Sequence, residues 1–125
     1  QIFYHIDLDW YQENDRSFSA FVCSRLCREH RQGREEEPSG ILNTLRSCCS
    51  KESAFLSQRL PLLESVFRLI LASGNEPISL DEIARRLTEL RGNSIDSGML
   101  RRLLDNDEFY GLRALPAEGT EEETK

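Results

Sequence analysis

Five side chains able to hold a soft metal ion crowd into one stretch of the sequence: Cys23, Cys27, His30, Cys48 and Cys49. They include all four cysteines of the chain. On a helix turning about 100° per residue, Cys23, Cys27 and His30 share one face, apart from the apolar stripe Phe18, Phe21, Val22 and Leu26. Cys27 and His30 make the tightest pair. Zinc takes four thiolate or imidazole ligands in a closed structural site, so the expectation is a zinc ion held by four of these five residues. Side chains of adjacent residues diverge, so Cys48 and Cys49 are expected to supply one ligand between them. Two other readings stay open. The cysteines could be reduced thiols packed as small apolar groups, with His30 complementing a helix C-terminus, or Cys27 could be activated by His30 for redox chemistry. Clustered cysteines argue against a disulfide-stapled secreted fold and for a reducing, cytoplasmic setting.

Nothing else in the chain reaches a catalytic pattern. Asp7 and Asp9 form a carboxylate pair without a pocket to act in, and no Gly-rich phosphate loop, HExxH or GxSxG occurs. The expectation is therefore a binding protein and not an enzyme. Arg25, Arg28, Arg31 and Arg34 recur every third residue, but Glu29 and Glu35–Glu37 lie beside them, as on a solvated face. The 125 residues carry 16 basic and 22 acidic side chains, a net charge of −6 that falls mostly in the second half of the chain. That balance speaks against strong phosphate binding. No run is apolar enough to cross a bilayer and no charged-then-apolar leader opens the sequence, so no membrane partner is expected.

The elements that must position these residues follow from periodicity. Ile2, Tyr4, Ile6, Leu8 and Trp10 alternate with mostly polar neighbours, which predicts a strand over 1–10. Such a strand needs a partner, either Phe109–Leu115 of the same chain or its counterpart in a homodimer. A turn at Gln12–Asp15, with Asn14 or Asp15 as cap, leads into a helix over Arg16–Arg31. The Gly- and Glu-rich segment Gln32–Gly40 reads as a loop, followed by a short helix over Ile41–Cys49. Pro61 fits a helix start, and Leu62, Leu63, Val66, Phe67, Ile70 and Leu71 supply its buried face up to Gly74. Ser79-Leu80-Asp81-Glu82 is a capping box with Ile78 and Ile83 at staple positions, and Gly92 stops that helix. A further helix opens at Asp96 and buries Met99, Leu100, Leu103 and Leu104, and Phe109–Leu115 reads as a strand ended by Pro116.

The helix start Ile78-Ser79-Leu80-Asp81-Glu82-Ile83-Ala84 and the helix Met99-Leu100-Arg101-Arg102-Leu103-Leu104, followed by the strand 109–115, resemble a winged helix-turn-helix over about Leu60–Pro116. The resemblance implies a third helix that enters the DNA major groove and a wing that contacts the backbone or minor groove. It places Arg101 and Arg102 in the groove and Arg113 on the wing. Many winged helices instead dock on proteins, so the partner implied is double-stranded DNA or a protein. The fold expected is mainly α with a small β component. Its N-terminal strand and helices (1–59) carry the Cys/His cluster and pack on the winged-helix-like module (60–116), and an acidic, disordered tail (117–125) follows.

Overall fold

A computed structural model describes residues 2–23, 25, 38–47 and 55–115. Among them the chain is mostly helical, with one three-stranded antiparallel sheet. In order come β1 (Phe3–Ile6), α1 (Leu8–Glu13), α2 (Phe18–Cys23), α3 (Pro38–Ser47), α4 (Leu62–Ala72), β2 (Ile78–Ser79), α5 (Leu80–Arg91), α6 (Ser97–Asp105) and β3 (Leu112–Leu115).

The opening strand is shorter than its alternation predicts. Asp7 ends it, because its carboxylate accepts the Asp9 N–H at 3.1 Å and caps α1. Leu8 and Trp10 therefore sit on a helix, and Trp10 and Tyr11 are both buried although they are neighbours, which a half-wet strand forbids. Asn14 closes α1 instead of opening α2. The α2 start is held by Ser17, whose hydroxyl accepts the Ala20 N–H at 3.1 Å. α2 ends at Cys23 and Arg25 lies in a turn, its N–H on the Val22 carbonyl. The rest of the expected helix, 26–31, lies outside the described residues, as do positions 32–37 of the expected loop and the tail 117–125. Pro38, Ser39 and Gly40, expected to end that loop, instead form the first turn of α3, where a proline fits.

The caps of the second half are in place. Ser79 accepts the Glu82 N–H, Gly92 closes α5 in the left-handed conformation (φ 80°), and Asp96 accepts the Met99 N–H at 2.8 Å. The capping box is only half formed, since the Glu82 carboxylate turns to Arg85 and Arg86 instead of the Ser79 N–H. Pro61 precedes the first turn of α4 as its cap residue. At the far end, Asn75 (φ 66°) closes α4 with its N–H on Ile70, while its side-chain amide both accepts the Ile6 N–H and donates to the Ile6 carbonyl. One residue thus ends a helix and extends a sheet.

β1 is the central strand: the order is β2-β1-β3, with Tyr4 opposite Ile78 on one side and Ala114 on the other. The first strand accordingly pairs within the chain and has both edges occupied. One apolar cluster fills the interior, joining Tyr4, Ile6, Val22 and Leu45 to Phe67, Ile70, Ile83, Leu87, Leu100 and Leu112. Burial of this kind contributes about 25 cal/mol per Å² of apolar surface.

Candidate functional site

α6 and β3 carry the arginines implicated by the winged-helix resemblance. The α5–α6 turn is pinned by Ile95, whose N–H donates to the Thr88 hydroxyl at 3.1 Å. Leu100 and Leu104 then lock α6 into the core, which sends Arg101 and Arg102 outward.

The three arginines meet different fates. Arg101 lies 3.5 Å from Asp105, whose other oxygen accepts the Tyr4 hydroxyl at 2.8 Å. Burial and that bond to Asp105 push the Tyr4 phenol up to about 12. Arg113 folds back, donating to the Asp107 and Leu112 carbonyls at 3.1 and 2.9 Å with its guanidinium over Trp10. Arg102 is exposed and forms no ion pair among the described residues. Leu103, expected in the core, is instead 39% exposed beside it.

The expected strand 109–115 forms only from Leu112 onward, because Asp107 captures its first half. The Asp107 side chain is 5% exposed and accepts the N–H groups of Phe109, Tyr110 and Leu112 at 3.0–3.1 Å. These residues therefore turn tightly. Gly111 (φ 75°) is required there, since a Cβ would stand 2.8 Å from the Tyr11 ring and 2.9 Å from the Trp10 ring. The cleft between the end of α6 and β3, about 200 Å³, is lined by Asp105, Asp107 and Glu108 as well as Arg113. A phosphate placed there would meet carboxylates.

Sequence reasoning missed a buried ionic knot. Glu64 of α4 is 7% exposed and accepts Arg25 Nε and Nη2, Arg68 Nε and the Tyr110 hydroxyl, all at 2.8–2.9 Å. Desolvation would raise the Glu64 carboxyl, but the hydrogen bonds from Arg25, Arg68 and Tyr110 outweigh it and hold it at about 2. Arg25 also stacks on Phe21 and Phe67. The available signal was a lone Glu64–Arg68 pair at i,i+4 in an otherwise apolar helix.

Of the metal candidates, Cys23 is placed only through its backbone, as the last residue of α2, and Cys27, His30, Cys48 and Cys49 lie outside the described residues. Among the described residues no three His, Cys, Asp or Glu side chains gather as ion ligands. No helix among them is long and apolar enough to cross a membrane. Comparison of the chain with protein-family models, curated proteins and solved structures gave no match.

Proposed function

We propose that the chain is a non-enzymatic binding module, winged-helix-like over about residues 60–116, that docks on a protein partner through the outer face of α6. The observation that carries this reading is the pairing of its arginines: Arg113 is spent on backbone carbonyls and Trp10, Arg101 faces Asp105, and among the described residues Arg102 alone of the three forms no ion pair. Duplex DNA draws most of its affinity from several unopposed cations that displace counterions. A protein surface is suited to one free arginine beside an exposed leucine, because arginine and apolar anchors dominate such contacts.

The two partner classes separate by salt. Titrated with labelled duplex DNA at low ionic strength, the protein is expected to bind weakly or not at all, and Arg101→Ala and Arg102→Ala are expected to change nothing. A log–log salt slope of about −2 or steeper, weakened by Arg102→Ala, would overturn protein docking in favour of groove binding. A photo-crosslinking amino acid at position 103 is expected to yield protein adducts that the same group at exposed position 13 does not.

We further propose that four of Cys23, Cys27, His30, Cys48 and Cys49 hold a structural zinc in a cytoplasmic, thiol-reducing setting. What supports it is the sequence alone, which gathers all four cysteines and His30 between positions 23 and 49. Protein purified without a histidine tag is expected to carry about one zinc per chain, the stoichiometry of a closed four-ligand site. A content below about 0.2 would leave the cysteines as thiols, since a structural site of this kind binds too tightly to be emptied by purification.

A further inference from the structure

We propose that the outer edge of β3 takes up an extended segment of a partner protein as an antiparallel fourth strand, with a lysine or arginine of that segment entering the cleft between α6 and β3. β3 is an outer strand, paired only with β1. Which of its backbone groups face away from β1 follows from the ladder. One step beyond the Ile6–Leu112 pair, the Asp7 N–H donates to the Gly111 carbonyl at 2.8 Å, so these two form a hydrogen-bonded pair. Antiparallel pairs alternate, so Arg113 and Leu115 turn their N–H and C=O groups to β1, whereas Leu112 and Ala114 turn theirs outward.

At Leu112 that edge is closed. Its N–H donates to the Asp107 carboxylate at 3.0 Å, and its carbonyl accepts Arg113 Nη1 at 2.9 Å. Ala114 is exposed and has no such cap among the described residues. One donor and one acceptor therefore stand open on the edge, the pair that an added strand engages.

The cleft selects which strand. Ala114 lines it together with Leu112 and Asp107, so it runs along the same edge. At about 200 Å³ it is smaller than the ~300–1,000 Å³ of small-molecule sites and suits a single long side chain. Opposite residues of an antiparallel pair share a face, so the residue opposite Ala114 projects its side chain on the face where Tyr4, the β1 partner of Ala114, reaches Asp105. Asp105, Asp107 and Glu108 line the cleft against one guanidinium, Arg113, which is turned to backbone carbonyls. Glu108 is exposed and forms no ion pair among the described residues. A cationic side chain complements these walls, whereas a second copy of the chain would bring carboxylates against carboxylates. The contact uses neither Arg102 nor Leu103, so it stands whether or not the outer face of α6 docks a partner.

The Ala114 amide is the reporter. In the protein alone its hydrogen is expected to exchange with solvent much faster than that of Arg113, which the ladder protects. The pentapeptide acetyl-Thr-Val-Lys-Val-Thr-amide is expected to slow that exchange and to shift the Ala114 NMR signal saturably. The same peptide with glutamate for lysine is expected to bind roughly tenfold more weakly. Methylating the lysine backbone nitrogen should abolish binding, and so should Ala114→Pro, because an outward N–H on an edge strand is one that proline can replace. Glu108→Gln should weaken the lysine peptide about threefold, the size of one exposed charge pair. Slow exchange of Ala114 in the protein alone, no saturable shift, equal binding of the lysine and glutamate peptides, or indifference to N-methylation would each overturn the proposal. Protection of Ala114 that grows with protein concentration would overturn it in favour of self-pairing. The peptide comparisons use the unaltered protein, so they decide the matter even if a variant folds poorly.

Discussion

Replacing Glu64 by glutamine is expected to cost about 3 kcal/mol of folding stability and to lower Tm by on the order of 10 °C. The carboxylate is the shared acceptor for Arg25, Arg68 and Tyr110, and it is nearly excluded from water. Taking away its charge leaves two guanidinium groups, with side chains 11% and 18% exposed, facing a neutral amide. Removing one charge of a buried ionic network is far more costly than removing one of a surface pair. The contrast lies on α5, where Glu82 pairs with Arg85 and Arg86 in the open. Glu82→Gln is expected to leave the denaturation midpoint unchanged, because solvent screens that pair.

Acid offers a second test of the same knot. The Glu64 carboxyl is held at about 2, below its ordinary 4.5. A lowered folded-state pKa gives stability that is fully present above the ordinary value and is lost as pH falls through 4.5 toward 2. That loss should total about 3 kcal/mol in urea denaturation curves, at roughly 1.4 kcal/mol per unit. Glu64→Gln should abolish this part of the acid dependence.

The second large effect is expected at Asp107. Asp107→Ala removes the acceptor for three N–H groups, one of them on fully buried Leu112, at a cost of about 2–4 kcal/mol. Asp107→Asn is expected to lose part of that, because one oxygen becomes an NH₂ group that cannot accept an N–H. The two sites are joined through Tyr110, whose N–H goes to Asp107 and whose hydroxyl goes to Glu64. A double-mutant cycle between Glu64→Gln and Asp107→Ala should therefore depart from additivity by more than about 0.5 kcal/mol.

The helices α4 to α6 were legible because their ends are written locally. Ser79, Gly92 and Asp96 act within a few residues, and the apolar spacing between them allows one burial face. The first strand was overread for the same reason in reverse. Period-two alternation runs on to Trp10, and Asp7, whose cap cuts the strand, fits that alternation as one more polar position. The candidate site was half legible. That Arg101 and Arg102 would face outward follows from Leu100 and Leu104, whereas the fate of Arg113 depends on Trp10 and on a turn shaped by Asp107. Arg25 on Glu64 and Arg16 on Phe109 unite residues 39 and 93 positions apart, and no local pattern encodes such meetings.

Synthesis from the N-terminus puts Tyr4 and Ile6 outside the ribosome long before their partners. Tyr4 waits for Ile78, then for Asp105 and Ala114, the hydroxyl contact alone spanning 101 positions. Until then the nascent chain exposes an unpaired, apolar strand with both edges open, a target for holding chaperones and for cross-pairing between neighbouring polysomes. Such distant pairing must absorb its loop-closure entropy before any contact repays it, so the ladder should be the slow step of folding, entered only after the helices have docked.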